Sequence, residues 1–232
     1  MKKGLFITIL SAFILWGVNA QAQSDTFNEL SAFTSISIGV PANVYVMQNP
    51  HQSVKIETSK ENLEKIKVEV KNGNLEIRSK RNNTHFKGNI KIYISMAKIN
   101  GLALAGSGSI NLQGAVTTTD IDLSIAGSGK MIAENLAAEN VKISIAGSGK
   151  VNLKGPEVAN NLKISVAGSG DIHAENFKTK NVKTNISGSG TCYVNADEEL
   201  TVSMSGSGNV YYTGTPLIDA KISGSGKVKT MQ

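Results

Sequence analysis

The fold follows from one repeated stretch, which in its clearest copy reads Val141-Lys-Ile-Ser-Ile-Ala-Gly-Ser-Gly-Lys-Val-Asn-Leu-Lys-Gly155. Its Gly-Ser-Gly triplet occurs seven times, with successive spacings of 21, 20, 21, 20, 18 and 18 residues, and the triplets begin at Gly106, Gly127, Gly147, Gly168, Gly188, Gly206 and Gly224. A fixed period near twenty residues is typical of stacked-coil architectures. The sequence therefore predicts a solenoid.

Apolar and polar residues alternate along this stretch, with apolar residues such as Ile143 and Ile145 at every second position. Such alternation indicates β-strands with one buried face. The phase continues through the triplet, so Gly147 and Gly149 have inward parity and Ser148 points outward. Glycine suits a sharp bend there because it has no Cβ on the concave side and adopts a positive φ easily.

A second corner is predicted six residues after the last glycine of each triplet. Glycine and asparagine, which tolerate the left-handed backbone region, occupy five of these positions, and alanine occupies one. The positions are Gly114, Asn135, Gly155, Asn176, Ala196 and Gly214. Two corners joined by short alternating strands describe one coil of a β-solenoid.

The predicted fold is all-β: a right-handed parallel β-helix (β-solenoid) with about seven Gly-Ser-Gly coils, spanning Leu102 to Lys229 within a repeat domain of residues 101–232. Each strand pairs in parallel with its equivalent one coil later, about 4.8 Å away. Because one coil cannot bury its own apolar face, stacking must form the core. The predicted inward stacks are Ile125, Ile145, Val166, Ile186 and Met204 before the bend, and Met131, Val151, Ile172, Cys192 and Val210 after it.

Residues 1–22 have the three features of a secretory signal peptide. Lys2 and Lys3 form a basic start, Leu5 to Val18 is an apolar run, and Ala20-Gln-Ala22 is a small-residue cleavage site. A membrane anchor is the weaker interpretation, because about 20 apolar residues are needed to span a bilayer. We expect cleavage after Ala22, export to the periplasm, outer surface or extracellular space, and no transmembrane segment after signal removal.

Residues 23–100 lack the triplet but keep the strand pattern, so they are predicted to be a β-rich N-terminal portion: either a cap or degenerate first coils. Within it, Ser59 to Lys65 is predicted as one helical turn capped by Ser59. Lys71-Asn-Gly-Asn74 is a hairpin-type turn signal between two strands. A terminal coil exposes strand edges and core, so an atypical cap is expected.

The charge distribution argues against nucleic-acid binding. Removing Lys2 and Lys3 from a formal net charge of +6 leaves +4, because the leader contains no acidic residue. The only arginines are Arg78 and Arg81, and the lysines are spread singly along strands. Nucleic-acid binders cluster these residues and favour arginine for forked contacts.

The ordered combination of motifs resembles a known family. Phe33-x-x-Ile-x-Ile-Gly-Val40 follows the leader, a strand pair runs from Ile66 to Ile77, and Gly206-Ser-Gly-Asn-Val-Tyr-Tyr-Thr-Gly-Thr-Pro216 lies near the end. The chain is similar to the bacterial family called the putative auto-transporter adhesin, head GIN domain, common in exported proteins of the Bacteroidetes. The resemblance implies a right-handed β-helix-like fold and an envelope or extracellular location. It brings no catalytic residues with it.

No constellation in the sequence indicates catalysis, and we expect no enzyme, no metal and no cofactor. His51, His85 and His173 lie far apart, without a partner at metal-ligand spacing. The position after the triplet is lysine in three coils, which repels calcium. Cys192 takes an inward core position and is interpreted as a small buried hydrophobe.

The predicted contact face is the bend itself, where one outward serine recurs in every coil. These serines are Ser107, Ser128, Ser148, Ser169, Ser189, Ser207 and Ser225. Small outward residues flank them at Ala105, Ala126, Ala146, Ala167, Ser187, Ser205 and Ser223. A tight corner that accepts only small residues explains the pattern structurally; a contact surface explains it functionally. Tyr211 with Tyr212 is the one paired aromatic candidate near the coils.

The function predicted from these features is a non-enzymatic exported binding protein of the envelope or cell surface, an adhesin, whose partner is a surface glycan or an envelope protein. The alternative is a structural or assembly protein of the cell envelope that forms homo-oligomers through the solenoid face.

Overall fold

The computed structural model describes residues 23–27 and 29–231, so the predicted signal peptide lies outside the described residues. Nearly all regular structure in the described part is β. The elements are β1 Gln23–Phe27, β2 Ser35–Gly39, β3 Asn43–Gln48, β4 Ser53–Thr58, α1 Lys60–Lys65, β5 Ile66–Lys71, β6 Asn74–Ser79, β7 Lys91–Met96, β8 Gly101–Gly106, β9 Ser109–Gln113, β10 Val116–Gly127, β11 Lys130–Ala133, β12 Leu136–Gly147, β13 Lys150–Lys154, β14 Ala159–Gly168, β15 Asp171–Gly188, β16 Thr191–Gly206, β17 Asn209–Thr213, β18 Leu217–Gly224 and β19 Lys227–Thr230.

The repeats form the predicted β-solenoid. Strands from successive repeats pair in parallel, and the register places each triplet on the next, as in Gly127 opposite Gly147 and Gly147 opposite Gly168. The same register continues to Gly206 opposite Gly224. The seven triplet corners enclose about six full turns. The predicted fold class is therefore confirmed.

The core is built by the alternation that the sequence shows. In β12 the residues Val141, Ile143 and Ile145 are buried, while Lys142 between them is exposed. Every residue of the two predicted inward stacks is buried. Stacking in register puts each apolar residue on its equivalent in the next coil, which removes both from water. The core is thus a set of continuous apolar columns along the solenoid axis.

The two glycines of each triplet are required for different reasons. The first glycine has a φ of +102° to +127° in all seven copies, a region that side chains with a Cβ avoid. The second is buried in five of the seven copies, and a Cβ at Gly149 would lie 2.6 Å from Cγ2 of Ile125. Between them, the Ser148 N–H donates to the Gly127 carbonyl at 2.9 Å, so the hydrogen-bond ladder continues through the bend.

The left-handed backbone predicted for the second corner is wrong at most positions. Among the six, only Gly114 (φ +72°) and Gly214 (φ +94°) have positive φ. Asn176 and Ala196 instead lie inside the long strands β15 and β16, and the pairing of these strands shifts register beyond Ala174. The chain therefore turns there by bulging an extended strand, which needs no left-handed residue. Glycine is needed at position 155 for lack of space, because a Cβ there would collide with the Leu136 carbonyl and the Phe177 ring.

The N-terminal portion shares the sheet and the core of the repeats. β2 and β3 pair in parallel with β8 and β9 on one side, and with β6 and β7 on the other. The coil formed by β2 and β3 therefore lies between a later coil and the cap. β4 and β5 close this end as antiparallel partners of β7 and β6. The order of coils in space thus differs from their order in the chain.

The predicted helix and hairpin are both present. The side chain of Ser59 accepts from the Asn62 N–H at the start of α1, and the turn between β5 and β6 has positive φ at Asn72 and Gly73. Asn62 is fully buried: its side-chain amide donates to Thr58 Oγ1 at 2.9 Å and to the Lys87 carbonyl at 2.8 Å. It ties the helix to the loop before β7, a role that the sequence does not reveal.

Candidate contact face

The serines predicted to form the contact face are all exposed, one at each corner. We call these seven residues, from Ser107 to Ser225, the serine ridge. The small residues predicted beside them, from Ala105 to Ser223, are exposed as well. Because the coils stack in register, equivalent side chains form straight lines along the axis. The structure therefore brings the predicted residues together as one continuous line with a flanking line of small residues.

A shallow groove of about 520 Å³ lies beside the serine ridge. Its floor consists of two outward columns of small side chains on β8, β10, β12, β14 and β15. We call it the small-residue groove, and its central residues are Ser124, Ala126, Ser144, Ala146, Ser165 and Ala167. The next outward column contains the exposed residues Lys142, Lys163 and Lys183. The same column contains Asp122, which lies 2.9 Å from the Lys142 ammonium. The groove is thus bordered by hydroxyls on one side and by a mainly basic column on the other.

A second outward column on the other side of the bend contains stacked rings. His173 stacks on Tyr193 with ring centroids 4.8 Å apart and planes inclined by 14°. Tyr193 stacks on Tyr211 at 5.1 Å and 13°. At the N-terminal end of the same column, Tyr45 stacks on Tyr93 at 5.3 Å. The strand register makes these residues one column, which we call the aromatic column.

Tyr211 and Tyr212 do not act as the pair that the sequence suggests. They are consecutive residues of β17, so their side chains lie on opposite faces of the sheet. Tyr211 belongs to the aromatic column, whereas Tyr212 packs against the core. The correct grouping was visible in the spacing: His173, Tyr193 and Tyr211 are separated by the same 20 and 18 residues as the corresponding triplets.

The stacking limits what the aromatic column can bind. In a stacked pair each ring covers a face of its neighbour, so Tyr193 has a ring on both sides. A sugar binds aromatic residues by lying on an open ring face, and Tyr193 offers only its edge and hydroxyl. The column therefore stiffens this side of the solenoid and presents polar ring edges rather than a platform for sugars.

Within residues 23–27 and 29–231, no group of three or more His, Cys, Asp or Glu side chains could hold a metal ion. His173 lies 3.7 Å from Glu175, an isolated surface contact. Cys192 is a free, fully buried thiol in a core column. Burial, with a smaller contribution from Asp171, raises its pKa to about 12, so the thiol stays protonated at neutral pH.

We expect Cys192 to be inert in the folded protein. The thiolate is the reactive species, and a pKa raised to about 12 leaves almost none at a pH of about 8. Iodoacetamide should leave the native protein unlabelled and add one adduct in concentrated urea, as measured by intact mass. Rapid labelling of the native protein would show that the core opens around Cys192 or that Cys192 is not in the core.

The described part of the chain contains no helix long and apolar enough to cross a bilayer.

The comparisons with known proteins agree with this architecture. The family described as putative auto-transporter adhesin, head GIN domain, matches residues 32–216. A putative adhesin from Bacteroides fragilis has a TM-score of 0.83 at 24% identity, covering 91% of this chain and 97% of its own. A putative lipid binding protein from Parabacteroides distasonis has a TM-score of 0.75 at 22% identity, with 92% and 98% covered. A putative adhesin from Parabacteroides merdae has a TM-score of 0.75 at 18% identity, covering 92% of this chain and 98% of its own. At these identities the likeness shows the fold. No curated protein matches the chain.

Proposed function

Because the chain belongs to the family of the putative auto-transporter adhesin, head GIN domain, we propose that it is a non-enzymatic, exported binding protein of the cell envelope or cell surface that acts as an adhesin. Its partner is a surface glycan or an envelope protein. The observation that carries this proposal is the small-residue groove beside the serine ridge, repeated in register from coil to coil. The signal peptide predicted at residues 1–22 supports export.

The groove has the properties that a non-catalytic contact surface needs. Small side chains keep the surface low, so an extended partner can approach the backbone closely. Serine hydroxyls both donate and accept hydrogen bonds, which suits the hydroxyls of a glycan. Identical corners repeat along the rod, so several weak contacts to one extended partner add up through avidity. The exposed Lys163 and Lys183 favour partners with negative charge, whereas Lys142 in the same column pairs with Asp122.

The test is to fill the groove and measure binding to a glycan array. Ala146→Gln with Ala167→Gln places two longer, uncharged side chains in neighbouring coils of the groove floor. Thr191→Gln with Asn209→Gln is the matched control, because these residues are also paired neighbours but lie on the other side of the bend. We expect the groove variant to lose at least about tenfold in affinity, which corresponds to 1.4 kcal/mol, and the control to bind normally.

A specific observation also favours the assembly role as a second candidate: two flat surfaces of small residues can pack against each other. Light scattering separates the two functions. If the protein forms an oligomer that binds no glycan, and the groove variant is monomeric, the result would support assembly through the solenoid face. A protein that binds lipid vesicles but no glycan would contradict the glycan partner. A protein that binds nothing and does not assemble through the groove would contradict both candidates.

A further inference from the structure

The two ends of the solenoid differ in how their strand edges are protected. At the N-terminal end the outer strand β5 carries Glu69, whose carboxylate lies 2.8 Å from Lys67 Nζ, 3.1 Å from Lys71 Nζ and 2.9 Å from Arg78 Nη2. Its hydrogen bonds with Lys67 and Lys71 are the main reason that its pKa falls to about 2, so it remains charged. A dense charge cluster on an edge strand discourages pairing with another chain.

Within the part of the chain that the structure describes, the C-terminal end carries no such cluster: its outer strand β18 has one acidic and one basic residue, Asp219 and Lys221. Among the described residues, β18 pairs with β16 on one side and has no strand on the other. Its inward residues extend the core columns, with Ile218 opposite Leu200 and Ile222 opposite Met204. Because no described strand covers the outer side of β18, Leu217 is 81% exposed, Ile218 45% and Ile222 39%. This end therefore presents an apolar core section beside a free strand edge, which is a template for pairing.

We propose that β18 pairs with β18 of a second copy of this chain, in antiparallel orientation about a two-fold axis at Ala220. The two solenoids then join tail to tail into one longer rod. The central sequence Ile218-Asp219-Ala220-Lys221-Ile222 is self-complementary in this arrangement. Asp219 of each copy lies opposite Lys221 of the other, and Ile218 lies opposite Ile222.

The charges select this register over its neighbours. In an antiparallel pair, directly opposed residues lie on the same face of the sheet. Only registers that keep the core-side residues of both copies on the same face are therefore possible alternatives. Moving the axis one residue towards the N-terminus puts Asp219 opposite itself, and moving it one residue towards the C-terminus puts Lys221 opposite itself. Like charges directly opposite each other destabilise a strand pair, whereas opposite charges stabilise it. Only the axis at Ala220 pairs both charges and also covers β18 from Leu217 to Ser223.

The same register continues the apolar core across the junction. Asp219 and Lys221 lie on the outer face, and Ile218, Ala220 and Ile222 lie on the core side. In the pair, each exposed isoleucine contacts an isoleucine of the other copy, so the exposed apolar end is covered. The contact is isologous, because both copies use the same strand, and it therefore closes at two copies.

Charge reversal tests the proposal directly by analytical ultracentrifugation of the purified protein over a range of concentrations. We expect the wild type to be a dimer. Lys221→Asp and Asp219→Lys should each weaken dimerisation at least about tenfold, because each creates two like-charged pairs. Mixing these two variants should restore a 1:1 heterodimer, since every opposed pair is then of opposite charge. The double variant Asp219→Lys with Lys221→Asp should dimerise as well as the wild type.

Thermal unfolding of each single variant is the folding control, and both substitutions replace exposed residues of the last full-length strand. The groove variant Ala146→Gln with Ala167→Gln should leave this dimer intact, so the end contact and the proposed adhesin surface can fail independently. A wild type that stays monomeric at all concentrations would overturn the proposal. Dimerisation that is unchanged in both single charge-reversal variants would also overturn it, because the association would then use another surface.

Discussion

Gly147→Val should destabilise the protein severely, by about 3–6 kcal/mol, because two costs add at this position. Valine must adopt a φ of +123°, a strained conformation for a β-branched residue. Its Cβ would also lie 2.5 Å from the carbonyl oxygen of Gly127 in the preceding coil, so the two coils must separate. Urea unfolding followed by circular dichroism measures the effect as a lower midpoint.

Ser148→Ala is the matched control for this experiment. Ser148 lies between the two glycines, but its side chain is exposed and only its backbone N–H takes part in the ladder. The substitution should change stability by less than about 0.5 kcal/mol. A fully stable Gly147→Val protein, or an equal loss from both variants, would mean that the corner is not built as described.

Phe177→Ala should also destabilise strongly, by about 3–5 kcal/mol, because it leaves a large cavity in a completely buried site. Phe177 is among the largest fully buried side chains, and its ring fills the space beside Gly155 in the preceding coil. Phe177→Leu is the graded control and should cost less than about 1.5 kcal/mol. Equal unfolding midpoints for the two variants would show that the ring does not fill a closed space.

The solenoid could be predicted from the sequence because its information is local and repeated. The triplet period gave the coil length, and the alternation around Ile143 and Ile145 identified the buried face. The exposed serine ridge followed from the same parity. The period also contained the ring stack of His173, Tyr193 and Tyr211, although the neighbouring Tyr212 obscured it.

The N-terminal ring stack and the second corner could not be predicted, because they depend on contacts between residues far apart in the sequence. Tyr45 stacks on Tyr93 because the β6–β7 coil lies outside the β2–β3 coil, an order that cannot be read from the chain. The second corner was mispredicted at Asn176 because asparagine tolerates a left-handed turn but does not require one. Register shifts in the long strand β15 made the turn unnecessary there.

The out-of-order position of the β2–β3 coil also sets a sequence of events during folding. A coil within the repeats finds its neighbour 20 residues away, as Lys142 finds Asp122. On one of its two sides, the first coil must wait for a partner much later in the chain, since Asn43 and Ser109 are 66 residues apart. Distant pairings form slowly because a long loop must close before any contact compensates for it. A chain that emerges from its N-terminus can pair its first coil with β6 and β7 before the repeats appear, but the other edge of that coil stays open until β8 and β9 have emerged. The pairing of β2 and β3 with β8 and β9 then joins the beginning of the molecule to its middle.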